Sequence, residues 1–213
     1  MEFSGLRKKI LALILTMALL IASIPAVFAG DNTGGIDERI NALELNPTNL
    51  NSAELDAYVD SLLASITTDE MSTYDKLTTC FEYIISNTKY GSHMSGLSYT
   101  INGVTCNSIY RNYGEVEGFG SVVLASGKGM CNAYASAWML MAKKLGLETR
   151  LVSGSTKSGR GGYTYHKWVE VDIDGVTYVV DPQLQQSLRR YWPGDYSVYF
   201  STYDQIPGRY IKY

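Results

Sequence analysis

From residue 52 onward the apolar positions fall into helical stripes. Ser52 precedes a segment that places Leu55, Tyr58, Val59 and Leu62 on one side, which predicts a capped helix ended by Thr68 to Glu70. A second stripe of Leu77, Phe81, Ile84 and Ile85 at i, i+4, i+7 and i+8 predicts a helix from Ser72 or Thr73 to about Asn87, with Cys80 beside the stripe. Upstream, Gly30 to Asn51 shows little periodicity and contains Gly34-Gly35 and Asn46-Pro47, so it reads as a loosely attached linker. Between Tyr90 and Gly120 neither period is sustained, and loops with short strands are expected.

After Gly127-Lys128-Gly129 the helical pattern returns, with Ala135, Trp138, Ala142 and Leu145 on one face and Gly146 as a stop. Cys131 therefore sits in the first turn of a buried helix, where the positive dipole end and unpaired backbone N–H groups favour a thiolate. Beyond it the period shifts to two. Strands are predicted over Glu148 to Gly154, Tyr163 to Ile173 and Val176 to Asp181, with a mobile loop over Ser155 to Gly162 and a further strand at Val198-Tyr199-Phe200.

Asp174-Gly175 between alternating apolar runs is the signal of a two-residue hairpin loop. Strand partners then have numbers summing to 349, which sets Trp168 opposite Asp181 and His166 opposite Gln183. His166, Trp168 and Asp181 share a face, and His166 and Asp181 become diagonal neighbours about 7 to 8 Å apart at the backbone. A helix packed across that face with Cys131 at its start would complete a nucleophile, a base and an orienter. Each of the three has a bland reading alone, as a buried thiol, an edge histidine and a strand-end aspartate; their convergence favours chemistry. Trp168 is the substrate-side candidate, with core filling as its other role.

The first residues change the setting. Arg7, Lys8 and Lys9 precede an uncharged apolar run, Ile10 to Ile24, and Pro25 to Ala29 offers small residues for cleavage after Ala29. That is the pattern of a secretory signal peptide, and the run is short of the ~20 residues that would make it a membrane anchor. Removing it takes away three cations and one anion and leaves a net charge near −5, by the counting that gives −3 for all 213 residues. With no basic stripe, nucleic acid is not an expected partner. With 46% hydrophobic and 18% charged residues, disordered and low-complexity classes are excluded as well.

All three cysteines lie in the exported part, where thiols tend to pair. Either Cys80 and Cys106 form a disulfide and Cys131 stays free, or all are free and two are small buried residues; the pairing is the expectation carried forward. A metal centre on Cys131 and His166 would need more soft ligands than the chain offers, since His93 is the other imidazole and belongs to a separate surface loop, so no metal and no cofactor is expected.

Three blocks, Gly127-Lys128-Gly129-Met130-Cys131-Asn132-Ala133-Tyr134-Ala135, His166-Lys167-Trp168-Val169-Glu170-Val171 and Tyr178-Val179-Val180-Asp181-Pro182, resemble the motif blocks of the transglutaminase-like superfamily. The order Cys, His, Asp with separations of 35 and 15 residues fits, and Asn87-Thr88-Lys89-Tyr90 is similar to the family's lead-in to the cysteine block. The resemblance spans about residues 73 to 203. It implies an α+β, papain-like core with a cysteine-bearing helix packed on an antiparallel β-sheet. It assigns Cys131 as nucleophile, His166 as base and Asp181 as orienter. The expected organisation is a signal peptide over 1–29, a leader over 30–51, an N-terminal helix over 52–70 and a transglutaminase-like domain over 71–213. The expected function is an exported, secreted or cell-surface cysteine enzyme that cleaves or transfers amide acyl groups of proteins or cell-wall peptides, with no membrane span after cleavage. A non-catalytic peptide- or glycan-binding module on the same fold is the alternative.

Overall fold

In the computed structural model, which describes residues 35–92, 97–192, 194 and 196–213, residues 35–51 are bound rather than loose. Helix α1 (Ile36–Asn41) buries Ile40, and Arg39 donates to the Asp174 carboxylate (3.0 Å), to the Ile173 carbonyl (2.9 Å) and to the Tyr178 hydroxyl. The amides of Asn46 and Thr48 bond the carbonyls of Gly146 and Lys143. The expected linker is thus a packed strap. The helical spacing of Ile36, Ile40 and Leu43 is too short to stand out before Asn46-Pro47 interrupts it, yet Ile40 and, further on, Leu50 are buried. The predicted signal peptide with its cleavage point, and His93, lie outside the described residues.

Ser52 and Ser72 open the next two helices by one device. Each side chain accepts from the backbone N–H three residues on, Leu55 and Asp75, and so satisfies a donor that a helix start leaves without a partner. Helices α2 (Ala53–Ile66) and α3 (Thr73–Asn87) follow; α3 buries its whole stripe, whereas α2 buries Leu55 and Val59 together with Leu63 and leaves Tyr58 and Leu62 half-buried.

Strands β1 (Lys89–Tyr90), β2 (Thr100–Ile101) and β3 (Val104–Thr105) lead into α4 (Cys106–Tyr113) and α5 (Glu115–Ser126). The expectation of loops over this stretch is corrected by those two helices. Gly118 and Gly120 belong to helix packing: an added Cβ would lie 2.5 Å from the Tyr110 Cα and 2.5 Å from the Leu140 Cδ1. Glu117 of α5, itself buried, accepts from the amides of Asn51 and Ser52 and fixes where α2 begins.

Strand β4 (Lys128–Gly129) precedes α6 (Cys131–Lys144), the cysteine-bearing helix. An antiparallel sheet in the order β8-β7-β6-β5-β9 completes the chain, from β5 (Arg150–Lys157), β6 (Tyr163–Ile173), β7 (Val176–Val180), β8 (Tyr199–Thr202) and β9 (Tyr210–Lys212). The β6–β7 register pairs Ile173 with Val176 and Val169 with Val180, which is the predicted sum of 349. Asp174 and Gly175 carry φ of 50° and 77°, the left-handed pair that such a tight hairpin needs.

Two departures bear on the site. Past Val180 the chain enters α7 (Pro182–Tyr191), with Asp181 as its N-cap, where a strand end had been expected. The Asp-Pro pair carries the signal: an N-cap acceptor followed by proline at the first helical position. The second departure concerns the sheet's faces. Val169, Val171 and Ile173 join Trp138 and Met141 in the main core, whereas Trp168 and Val179 pack with Leu184 and Leu188 in a separate cluster. Helix α6 therefore covers the face opposite His166 and Trp168, not the face they share.

Candidate active site

The turn before Cys131 is built by close backbone approach. Gly127 caps α5 in the left-handed region (φ 62°), its carbonyl accepts from Lys89 N–H at 2.8 Å, and the Gly129 carbonyl accepts from Gly91 N–H at 2.9 Å. A Cβ on Gly129 would stand 2.7 Å from both the Ala133 Cβ and the Val123 Cγ2, so no side chain fits there. This pairing of β1 with β4 delivers Cys131 to the first position of α6 and places Tyr90 beside Gly129. Helix-start amides lack a partner within the helix, and that of Cys131 is one of them.

His166 reaches the cysteine past the end of β7. Val169 is the last β6 residue paired with β7, and His166 lies three residues nearer the start of β6, where the chain leaving β7 has already turned into α7. Cys131 lies near enough to the His166 ring there for its sulfur to raise the ring's pKa. On its other side His166 Nε2 lies 2.6 Å from Asp181 Oδ2, which leaves Nδ1 for the cysteine. His166 and Asp181 are both buried, at 3% and 1% exposure. Burial disfavours the imidazolium, but the Asp181 carboxylate, its bond to the ring and the nearby Cys131 sulfur outweigh it and raise the His166 pKa to about 10. The ring is accordingly held protonated at neutral pH.

Three donors converge on the aspartate: Leu184 N–H on Oδ1 (2.9 Å), and His166 together with the Tyr210 hydroxyl (2.8 Å) on Oδ2. Tyr210 comes from β9 and had not been singled out; nothing local in a tyrosine-rich tail marks one ring among several. Burial first, then the Asp181 charge, push its pKa well up, so it stays a neutral donor. Gln186 was missed too. Its amide donates to the carbonyls of Ile85 (2.6 Å) and Thr88 (2.7 Å) and accepts from the Tyr134 hydroxyl (2.9 Å), tying α3 and α7 to α6 one turn past Cys131. Tyr90 stands close enough to Cys131 that partial burial and the neighbouring sulfur both raise its phenol pKa.

Trp168 is fully buried, stacks on His166 with centroids 6.3 Å apart and donates to the Tyr203 hydroxyl at 2.8 Å. With no exposed surface and no place in the lining of the cleft beside His166, it takes the core-filling role and supports the histidine ring. The expected disulfide is corrected as well, since Cys80 and Cys106 are free, each buried within its own helix's packing. Burial pushes the Cys80 thiol up to about 12 and raises that of Cys106, which makes both poor nucleophiles.

The family model described as the transglutaminase-like superfamily matches residues 60–182, the span from α2 to the first residue of α7. The chain belongs to the transglutaminase-like superfamily. Its mixed helices and antiparallel sheet are the α+β architecture expected for that membership. No curated protein matches the chain. Among solved structures, a candidate cysteine protease from Cytophaga hutchinsonii is similar at 15% identity and TM-score 0.39, over 71% of this chain and 43% of that one. A TGase structure is similar at 19% identity and TM-score 0.38, over 68% of this chain and 32% of that one. The chain thus spans less than half the length of either. Among the described residues, no helix of this superfamily member is long and apolar enough to cross a membrane.

Proposed function

We propose that this transglutaminase-like protein is an exported cysteine enzyme that acts on an amide through a thioester on Cys131. The observation that carries the reading is the buried His166 ring, bonded to Asp181 through Nε2 and close enough to Cys131 for the sulfur to raise its pKa. Export rests on the basic residues Arg7 to Lys9 followed by the apolar run to Ile24.

The thiolate of Cys131 attacks the carbonyl carbon, and the carbonyl π pair moves onto oxygen. The Cys131 amide stabilises that oxyanion, such a donor being worth on the order of 3 kcal/mol. His166 gives its proton to the nitrogen as the C–N bond breaks, which releases the amine and leaves the thioester. Neutral His166 then accepts a proton from water or from a second amine as it attacks, and the thiolate departs. Asp181 holds the ring's orientation and its positive charge throughout.

Intact-mass measurement after incubation with glutamine-containing peptides, with and without a primary amine, tests the reading and separates hydrolysis from transfer. An acyl adduct on the wild-type chain and none on Cys131→Ala is the expected result. An undiminished reaction in Cys131→Ala removes the cysteine from the mechanism. Iodoacetamide labelling at neutral pH should modify Cys131 far faster than Cys80 or Cys106; equal, slow labelling of all three favours a non-catalytic binding module.

A further inference from the structure

His166 forms part of the wall of an open cleft of about 1190 Å³. Five cations line it, Lys89, Lys157, Arg160, Arg190 and Arg209, and among the described residues no carboxylate does. They are brought together from β1, the end of β5 with its following loop, the last turn of α7 and the residue before β9. Among the described residues none of the five is in an ion pair. Outside the cleft, six of the ten described Lys and Arg residues are paired with acids: Arg189, for example, is held by both oxygens of Glu82, and Lys167 by Glu115. Arg190, next along the same helix, faces the cleft. Gathering unpaired like charge costs free energy that a bound anion recovers.

The second feature of the cleft is aromatic. Tyr90, Tyr165, Tyr191 and Trp192 line it and are 46% to 60% exposed. The Arg190 guanidinium lies 5.3 Å over the Tyr191 ring. Arg209 donates to the Lys157 carbonyl at 3.2 Å and stacks over Tyr196, so these two arginines are held by groups other than acids. Aromatic rings and arginines in one concave surface are the residue types that anchor bound chains.

We propose that this cleft selects acidic peptide segments that adjoin the amide presented to Cys131. The placement of that amide rests on the proposed role of Cys131; the selectivity rests on the cleft. A phosphate polymer would meet the cations but leave the four rings unused, whereas an extended peptide engages both.

Binding is read apart from chemistry with the full chain carrying Cys131→Ala. The probes are fluorescently labelled peptides of equal length with alternating Glu and Gln, Ser and Gln, or Lys and Gln, followed by anisotropy. The Glu peptide is expected to bind about tenfold or more tightly than the other two at about 0.01 M ionic strength. Most of that advantage should vanish at about 0.15 M, where the screening length falls from about 30 Å to about 8 Å. Exposed ion pairs are worth about twofold to fivefold each, so Lys157→Glu with Arg190→Glu should weaken the Glu peptide about tenfold. A circular dichroism melt matching the parent shows that the double variant is folded. Equal binding of the three peptides, or no loss in the folded double variant, overturns the proposal. Inorganic polyphosphate that outcompetes the Glu peptide and binds undiminished after Tyr165→Ala and Trp192→Ala overturns it in favour of a phosphate ligand. Acidic preference in Cys131→Ala with no acyl adduct on the wild type upholds the selectivity and defeats the catalytic role; an adduct without acidic preference does the reverse.

Discussion

The two faces of the central sheet are built on different physics. Toward α6, Val169, Val171, Ile173 and Val180 meet Trp138 and Met141 in a continuous apolar core. On the opposite face of the same strand β6, His166, Trp168 and Glu170 are buried among directional bonds. The Trp168 indole donates to Tyr203, whose hydroxyl donates to Glu170, and Glu170 is held by Arg150 (2.8 Å) and Lys212 (2.7 Å). Apolar burial rewards area and is indifferent to angle. Buried polar groups lose heavily unless each partner sits in place. Strand period two thus lets one segment serve both purposes: odd positions supply cohesion, and even positions aim the histidine.

That contrast breaks most visibly at Asp181. Asp181→Asn should slow acylation by roughly four orders of magnitude, the scale of losing an imidazolium's carboxylate partner. Single-turnover mass spectrometry reads the rate. A rate within about tenfold of wild type would reduce Asp181 to the cap of α7 and leave Cys131 and His166 as a dyad. Trp138→Ala, on the apolar face, should do the opposite. It should cost about 3 to 5 kcal/mol in urea denaturation with little change in turnover per folded molecule. A loss under about 1 kcal/mol would mean that cohesion does not reside where the core suggests.

Linkage with pH sharpens the comparison further. Because His166 is raised from 6.5 to about 10 in the folded chain, its contribution to stability is complete below about pH 6.5 and is lost as pH rises through about 10. Thermal melts of the wild type should therefore fall across that window. Those of Asp181→Asn should be flatter there, while those of Trp138→Ala should keep the wild-type slope at a lower level. The smallest effect is expected from Tyr210→Phe, which removes one of three donors to Asp181. One hydrogen bond of about 1 kcal/mol corresponds to about a fivefold loss of turnover. No change in turnover would make the Tyr210 bond incidental to the site.

Local rules carried much of this protein without a fold. The caps at Ser52 and Ser72, the stripes of α2 and α3, the start of α6 and the Asp174-Gly175 turn are each decided within a few residues. The turn fixed the hairpin register as far as Val169 and Val180, while the meeting of His166 with Asp181 beyond it depends on the chain turning into α7. What remained hidden depends on partners far along the chain. A period tells that a face is buried but not against what, and so the side of the sheet taken by α6 could not be read. Gly118 and Gly120 look like loop punctuation until Tyr110 and Leu140 are packed against them. Tyr210 meets Asp181 across 29 residues, and the unpaired cations of the cleft come from four separate segments of an acidic chain. Such juxtapositions arise from long-range packing, where burial energy spread over the whole core decides which distant groups meet, and no local pattern encodes that choice.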